Sequence, residues 1–375
     1  MNRRVRRVTW TQVRARRLER HSLVTPSNAL VDVVRATCGI HAQVQASAEL
    51  QLASRVREIT QQDVRVALWQ TRSLVKAWTL RGTLHLHPAD ELPMWFAATR
   101  SKEEALPEWV DPRGTLHQAL GRDAVAKIRG AVLDALDGQC LLREELAADV
   151  VQRVGADVGG RLLSGFAFFG GAELCQGPPQ GNKITLARAD QWVERWADCD
   201  EWDAVREACR RYLRTYGPAR PADFRTWLRS RAFDPADARA VFESLELEEV
   251  DVEGHRAFVL AGDEEFPQRH RSVRLLPEYD VYVMGFRERD HLVPDTVREQ
   301  VAEHGRGRYE GPAGIRLLAI DGMAAGLWER KKRGNRIELT VMPAASLTSA
   351  QRSALEDEAK RIGRFLGLEP ALAFA

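Results

Sequence analysis

The chain has 375 residues, enough for about two to four folded units with a core that needs no disulfide staples. Apolar residues make up 44% and charged residues 29% of the sequence, which excludes a disordered or collagen-like protein. The net charge of +2 by itself argues against a dedicated nucleic-acid binder, but residues 1–20 carry +7 through eight arginines while the rest of the chain carries −5. The excess of positive charge is therefore confined to the first twenty residues.

Nothing in the sequence predicts a membrane span or a secretory signal. The longest uncharged runs, 36–48 and 339–351, are 13 residues each, whereas a bilayer needs ~20 apolar residues. The five cysteines are scattered and show no zinc-site spacing, which is typical of reduced thiols. We therefore expect a cytoplasmic protein without a bound metal.

The first hundred residues have the element order of a winged helix. Helical periods span 11–21, 27–38, 47–57 and 60–70, where Thr60 is a suitable N-terminal cap. Two β-branched runs follow, 73–80 and 83–87, and Arg81-Gly82 between them is typical of a tight hairpin turn.

The same order recurs twice and then gives way to a β-rich segment. The second unit has predicted helices 121–137, 142–154 and 158–169 before strands 173–175 and 183–187. The third has helices 202–215, 221–230 and 235–244 before strands 248–252 and 257–260. Strands at 279–286, 315–320, 324–329 and 336–341 and a helix at 348–366 complete the chain.

The predicted fold class is α+β, with three tandem winged helix-turn-helix modules and a C-terminal β-rich domain. The predicted boundaries are 1–100 for the first module, 101–195 for the second, 196–272 for the third and 273–375 for the C-terminal domain.

Winged helices serve either as DNA-binding or as protein-docking modules, and DNA is the favoured partner here. The helix predicted at 47–57 offers few base-reading side chains, namely Gln51, Arg55 and Arg57, so recognition of backbone or shape is favoured over sequence readout. Basic residues that could contact phosphates occur in the N-terminal arginines, in 76–81 with Arg81, and in a predicted hairpin tip. The tip carries Lys331, Lys332, Arg333, Asn335 and Arg336, and a solvated loop is the alternative interpretation.

Gln43 and Gln45 form the candidate catalytic pair. In an extended segment, side chains at i and i+2 point to the same side, so both amides would converge while Val44 anchors the opposite side. Two neutral amides can orient a water but cannot act as strong bases. Without further context the pair is a weak signal, and ordinary polar packing is the preferred interpretation.

Four segments supply that context: GIHAQVQASAELQLASRV at 39–56, AWTLRGTLHLHPADEL at 77–92, YLRTYGPARPADFRTW at 212–227 and LLPEYDVYVMGFR at 275–287. Together they resemble the winged-helix DNA glycosylases of the AlkZ and YcaQ type. The resemblance implies a bacterial enzyme that acts on double-stranded DNA, removes N7-alkylated guanine and, in some members, unhooks interstrand crosslinks. It assigns catalysis to Gln43 and Gln45, in the glutamine form found in the natural-product resistance branch, and DNA engagement to a hairpin for which 331–336 is the candidate.

Alkylation at N7 makes guanine a cationic leaving group, so a weak catalyst that positions a water suffices. With no lysine beside the glutamines in the sequence, we predict a monofunctional glycosylase that needs no cofactor. Asp280 and Glu278 could stabilise a developing cation, although a capped turn is the preferred interpretation. His85 and His87 share a strand face without a third metal ligand, so we interpret them as structural or phosphate-facing.

Two interpretations from other classes remain: a non-enzymatic winged-helix regulator and a protein-interaction scaffold. A regulator would place base-reading residues on a recognition helix and bind paired half-sites as a dimer. Because neither feature is present, we expect a monomeric enzyme.

Overall fold

The computed structural model describes residues 5–99, 122–155, 173–228, 233–286, 288–304 and 311–375. These residues form a mixed α+β protein, which confirms the predicted class. The helices are α1 Trp10–Arg20, α2 Leu30–Ala36, α3 Gln45–Ala53, α4 Gln61–Trp69, α5 Leu92–Thr99, α6 Arg122–Ala135, α7 Arg143–Val154, α8 Ala189–Trp192, α9 Glu201–Tyr216, α10 Pro221–Leu228, α11 Pro235–Glu243, α12 Val281–Met284, α13 Asp295–His304 and α14 Ser349–Leu366. The strands are β1 Arg6–Val8, β2 Ile40–His41, β3 Leu74–Trp78, β4 Leu84–Pro88, β5 Leu141–Leu142, β6 Leu174–Gln180, β7 Lys183–Arg188, β8 Leu247–Val252, β9 His255–Leu260, β10 Val273–Leu276, β11 Leu317–Ile320, β12 Met323–Arg333, β13 Arg336–Pro343 and β14 Glu369–Phe374.

Several helices begin where the sequence places a capping residue. Thr60 and Thr348 each accept a hydrogen bond from the backbone N–H three residues on, which starts α4 and α14. Asp234 caps α11, and Pro235 occupies its first turn. The helix predicted at 158–169 lies outside the described residues.

A six-stranded sheet of order β2-β4-β3-β6-β7-β5 joins the first two units of the chain. The predicted hairpins are both present, as β3–β4 around Arg81-Gly82 and as β6–β7. Their inner strands meet at a single pair, Ala77 opposite Cys175. The two hairpins are therefore parts of one sheet rather than separate wings.

The N-terminal strand β1 pairs in parallel with β8, so the start of the chain joins the third unit. Helix α1 comes directly after β1 and packs into the protein, so that its Arg16 and Arg17 side chains are each 1% exposed. Arg16 pairs with Asp263 at 2.7 Å, and Arg17 Nε donates to the Tyr216 carbonyl at 2.8 Å. These two N-terminal arginines thus hold the fold together instead of presenting a DNA-binding face.

The C-terminal region contains a five-stranded sheet of order β10-β11-β12-β13-β14. The predicted strand at 279–286 is wrong, because Asp280 caps a short helix at 281–284 and Tyr279 adopts a φ of +60° that breaks an extended run. The residues 281–284 are all apolar because this short helix is buried in the core. The sequence also missed β10 and β14, the strand paired in parallel with β13.

The shared six-stranded sheet and the pairing of β1 with β8 link the predicted units through backbone hydrogen bonds. The division into three tandem modules at 1–100, 101–195 and 196–272 stays a prediction. Among the residues described, no helix is long and apolar enough to cross a membrane.

Candidate functional site

The candidate catalytic segment runs along the edge of the six-stranded sheet and ends at a helix. Strand β2 pairs with β4, with His41 opposite His85, and Ala42 N–H donates to the Leu84 carbonyl at 2.7 Å. Gly39 precedes it with a φ of +96°, and a Cβ there would lie 2.5 Å from the His87 ring. The segment is thus held tightly against β4 before Gln45 begins α3.

Both glutamine side chains reach back to the β3–β4 hairpin, as an extended backbone at Val44 allows. Gln43 Oε1 accepts from the Leu84 backbone N–H at 3.3 Å, and Gln45 Oε1 accepts from Lys76 Nζ at 2.8 Å. Gln43 is exposed and Gln45 half-buried. The expectation that Val44 anchors the opposite side is wrong, because that side chain is 38% exposed.

A buried ion network surrounds Gln45. Its Nε2 donates to Glu49 Oε1 at 3.2 Å, and Gln61 Nε2 donates to Glu49 Oε2 at 2.7 Å. Lys76 and Glu49 are 5% and 6% exposed. No lysine lies beside the glutamines along the sequence, but the fold brings Lys76 on β3 against the start of α3.

Burial sets the charge state of the basic groups here. Desolvation lowers the pKa of Lys76 to about 8, with the Glu49 carboxylate opposing the shift. Desolvation, with the nearby Arg81 and Lys76 charges, lowers the pKa of His41 to about 3, so this imidazole is neutral at physiological pH. Lys76 is thus mostly charged at neutral pH but close to its titration point.

The lowered pKa of Lys76 gives a prediction about stability. A lysine whose pKa is lower in the folded chain than in the unfolded chain makes the free energy of unfolding rise with pH between the two values. Relative to a Lys76→Met variant, the wild type should therefore gain stability from about pH 8 to about pH 10.5, by up to about 3 kcal/mol in all. Urea unfolding of both proteins across this range tests it, and parallel pH dependences would contradict it.

Helix α3 is fastened to the C-terminal region along its length. Ser47 Oγ donates to the Glu278 carbonyl, and Gln51 Oε1 accepts from the Val281 N–H at 3.1 Å. At the end of the helix, Arg55 and Asp280 form a two-pronged ion pair at 2.6 and 3.0 Å, with both side chains inaccessible to solvent. Gln51 and Arg55 therefore cannot read DNA bases from these positions.

Asp280 takes the structural role that the sequence favoured, that of a capped turn. Besides pairing with Arg55, it accepts from the Tyr282 N–H at 2.9 Å and is 1% exposed. Glu278 pairs instead with Arg316, whose Nε lies 2.8 Å from Glu278 Oε2. Since Asp280 is buried and its carboxylate is engaged, we leave it out of the catalytic set.

The β12–β13 hairpin carries the basic tip that the sequence predicted. All six residues from Lys331 to Arg336 are exposed, and Arg333 and Arg336 make only long ion pairs at 3.4 and 3.7 Å. Arg330 at its root is half-buried: desolvation and then Arg316 lower its pKa, whereas Glu278 and Glu49 oppose the shift. The hairpin root thus lies within electrostatic reach of the network around Gln45.

Arg81, His85 and His87 do not present groups to DNA in this structure. Arg81 is half-buried, and its guanidinium is engaged by the protein, since it donates to the Trp227 carbonyl at 3.0 Å and hydrogen-bonds His85 Nε2 at 3.2 Å. Both histidines are at most 1% exposed, and burial lowers their pKa. Of the two interpretations left open, the structural one fits. In the described part of the chain, no three His, Cys, Asp or Glu side chains cluster as metal ligands.

Comparison with known proteins identifies the family. The model of the AlkZ-like DNA glycosylases matches residues 34–365. The chain belongs to the AlkZ-like DNA glycosylase family. It is 31% identical to an interstrand DNA cross-link repair glycosylase of Streptomyces sahachiroi, over 96% of this chain and 98% of that protein. The solved structure of the Streptomyces sahachiroi DNA glycosylase AlkZ superposes with a TM-score of 0.80 at 28% identity, covering 98% of this chain and all of the other.

This AlkZ-like protein is therefore a DNA glycosylase, and the regulator and scaffold interpretations are set aside. Sequence reasoning predicted the glutamine pair, but it placed Lys76 among the possible phosphate contacts, whereas this side chain is buried and donates to Gln45. It did not indicate Glu49 and Gln61 as neighbours of Gln45. Apart from the Thr60 cap, which fixes Gln61 at the start of α4, no signal in the sequence relates these residues to Gln45. They meet only because α3, α4 and β3 pack together.

Proposed function

We propose that this glycosylase excises N7-alkylated guanine from double-stranded DNA, and unhooks guanine interstrand crosslinks, by hydrolysis with a water held by Gln43 and Gln45. The observation that carries the proposal is that both amides contact the same β3–β4 hairpin, Gln43 from the end of the segment that follows β2 and Gln45 from the first residue of α3. The relative from Streptomyces sahachiroi is an interstrand DNA cross-link repair glycosylase, which supports the crosslink substrate.

The residual hydrogen-bonding capacity of the two amides suits a water. A primary amide has two N–H donors and an acceptor oxygen with two lone pairs. Gln43 uses its oxygen once, and its nitrogen has no hydrogen-bond partner among the described residues. Gln45 uses its oxygen once and one N–H once. Each amide can therefore still donate to and accept from one water.

Such a site matches a reaction that needs positioning more than proton transfer. Because N7-alkylated guanine leaves as a neutral base, the C1′–N9 bond breaks toward an oxocarbenium ion without prior protonation of the base. The water adds to C1′ and gives its proton to solvent, leaving an abasic site. A crosslinked base is tethered to the opposite strand, so we propose that the substrate is bound without complete extrusion of the base.

The DNA-binding surface in this proposal is the hairpin tip of Lys331, Lys332, Arg333, Asn335 and Arg336. Their exposure leaves these side chains available to phosphates, whereas the half-buried Arg81 donates to the Trp227 carbonyl. We propose that the enzyme acts as a monomer, since one chain supplies both the glutamine pair and the hairpin.

Replacing both glutamines should remove most of the activity. We expect a Gln43→Ala, Gln45→Ala double variant to release N7-methylguanine from duplex DNA about 100-fold more slowly under single-turnover conditions, because the water loses its positioning groups. Gln139→Ala is the matched control, since this glutamine lies in the second unit and donates to the carbonyl of Ala135, the last residue of α6. Release that survives in the double variant would overturn the site, and no release by the wild type from simple or crosslinked adducts would overturn the substrate.

A further inference from the structure

The orientation of the Gln45 amide has a physical cause in its neighbours. The oxygen and nitrogen of a primary amide are nearly equal in size, so a half-turn of the terminal group exchanges donor for acceptor with little change in packing. A half-buried glutamine with neutral neighbours could adopt both states. A glutamine that must present a fixed donor and acceptor to a water requires one of them.

We propose that Lys76 and Glu49 are positioning residues for catalysis: the ammonium and the carboxylate hold the Gln45 amide in one of its two orientations. This inference rests on the proposed function, in which Gln45 holds the water. Lys76 Nζ lies 2.8 Å from Gln45 Oε1, and Gln45 Nε2 lies 3.2 Å from Glu49 Oε1. A half-turn would bring N–H groups against the ammonium and a carbonyl against the carboxylate.

The contacts of Lys76, Glu49 and Gln61 disfavour a half-turn of the Gln45 amide. Lys76 and Glu49 are almost completely buried, so water screens their charges weakly. Gln61 Nε2 holds the other oxygen of Glu49 at 2.7 Å, which fixes the carboxylate from a second helix. One N–H and one lone pair of Gln45 are left over. Their directions are set by the two charges and not by the glutamine itself.

The other charged groups nearby do not replace Lys76. On β2, His41 is neutral at physiological pH because its pKa is about 3. On β12, Arg330 is coupled to Glu49 electrostatically, without a hydrogen bond between them among the contacts described. The orienting effect on the amide oxygen therefore depends on the protonated Lys76, whose pKa of about 8 places its loss within an accessible range.

A double-mutant cycle between Lys76 and Gln45 tests the inference. Lys76→Met keeps an unbranched side chain that is one atom shorter and carries no charge, and we expect base release to slow about tenfold. In a Gln45→Ala background the same substitution should have almost no further effect, because no amide remains to be oriented. Lys183→Met, at an exposed lysine of β7, is the matched control. Melting curves and DNA affinity are recorded for each variant.

The pH profile gives a second readout that a merely structural lysine would not move. After subtraction of spontaneous base loss, release by the wild type should fall as pH rises through about 8, whereas the Lys76→Met variant should lack this fall. If Lys76→Met does not fold, Glu49→Leu replaces it in the same cycle with Gln45→Ala.

The outcomes separate this inference from the proposed function. Full activity of Lys76→Met, or losses that simply multiply in the cycle, would overturn the positioning role while leaving Gln45 catalytic. A borohydride-trapped covalent adduct with abasic DNA that requires Lys76 would also overturn it, since the lysine would then be a nucleophile. If Gln45→Ala retains full release, the catalytic assignment of Gln45 fails, and the inference fails with it.

Discussion

Replacing Asp280 by asparagine is expected to lower the free energy of unfolding by about 3–5 kcal/mol. Asp280 and Arg55 are both inaccessible to solvent, and their two hydrogen bonds measure 2.6 and 3.0 Å. Asparagine keeps the shape, and its oxygen can still accept from the Tyr282 N–H, but its amide nitrogen cannot accept from Arg55. The variant therefore removes the charge and one of the two hydrogen bonds. The loss arises because Arg55 would remain buried with its main counter-charge removed.

An exposed ion pair supplies the control for this variant. Arg336 and Glu369 are 3.7 Å apart, with side chains 65% and 71% exposed, so Glu369→Gln should change stability by less than about 1 kcal/mol. Urea unfolding of both variants measures the difference. Removing both members of the buried pair, as Arg55→Met with Asp280→Leu, should cost less than the sum of the single losses. Equal stability of Asp280→Asn and the control would show that the buried pair contributes little.

Neutralising the hairpin tip is expected to weaken DNA binding strongly and to flatten its salt dependence. Each phosphate contact contributes about 0.9 to the slope of log affinity against log salt, so Lys331→Gln, Lys332→Gln and Arg333→Gln together should reduce the slope by about 3. If binding at 1 M salt is unchanged, that slope corresponds to a loss of roughly a few hundredfold at about 0.1 M salt.

Helix α14 offers a control for the hairpin variant, because three exposed basic residues on it can be neutralised in the same way. Arg352, Lys360 and Arg364 are exposed on α14, so replacing all three by glutamine removes three charges without touching the hairpin. Titration of an undamaged duplex at several salt concentrations compares the two triple variants. If both lose the same slope, the effect is one of net charge, and the hairpin is not the binding surface proposed above.

Local features of the fold followed directly from the sequence. The cap at Thr60 acts through a bond to a residue three positions away, and the hairpin turn at Arg81-Gly82 depends on adjacent residues. Such interactions are complete within a short window of the chain. For the same reason the exposed basic tip between β12 and β13 could be found without a structure.

The glutamine pair was found by a motif, whereas its surroundings depend on contacts between distant residues. Lys76 is 31 residues from Gln45, and Asp280 is 225 residues from Arg55. The inward direction of Arg16 and Arg17 likewise depends on the third unit, which their composition alone could not indicate.

The sequence by itself determined the α+β class, the hairpins, the helix caps and the identity of the candidate catalytic amides. Only the tertiary structure decided that Asp280 is a buried partner of Arg55, that Arg81 bonds the Trp227 carbonyl, and that a lysine and a glutamate contact the Gln45 amide. The physical reason is that backbone propensity acts over a few residues. Desolvation and charge pairing depend instead on which distant segments exclude water from one another.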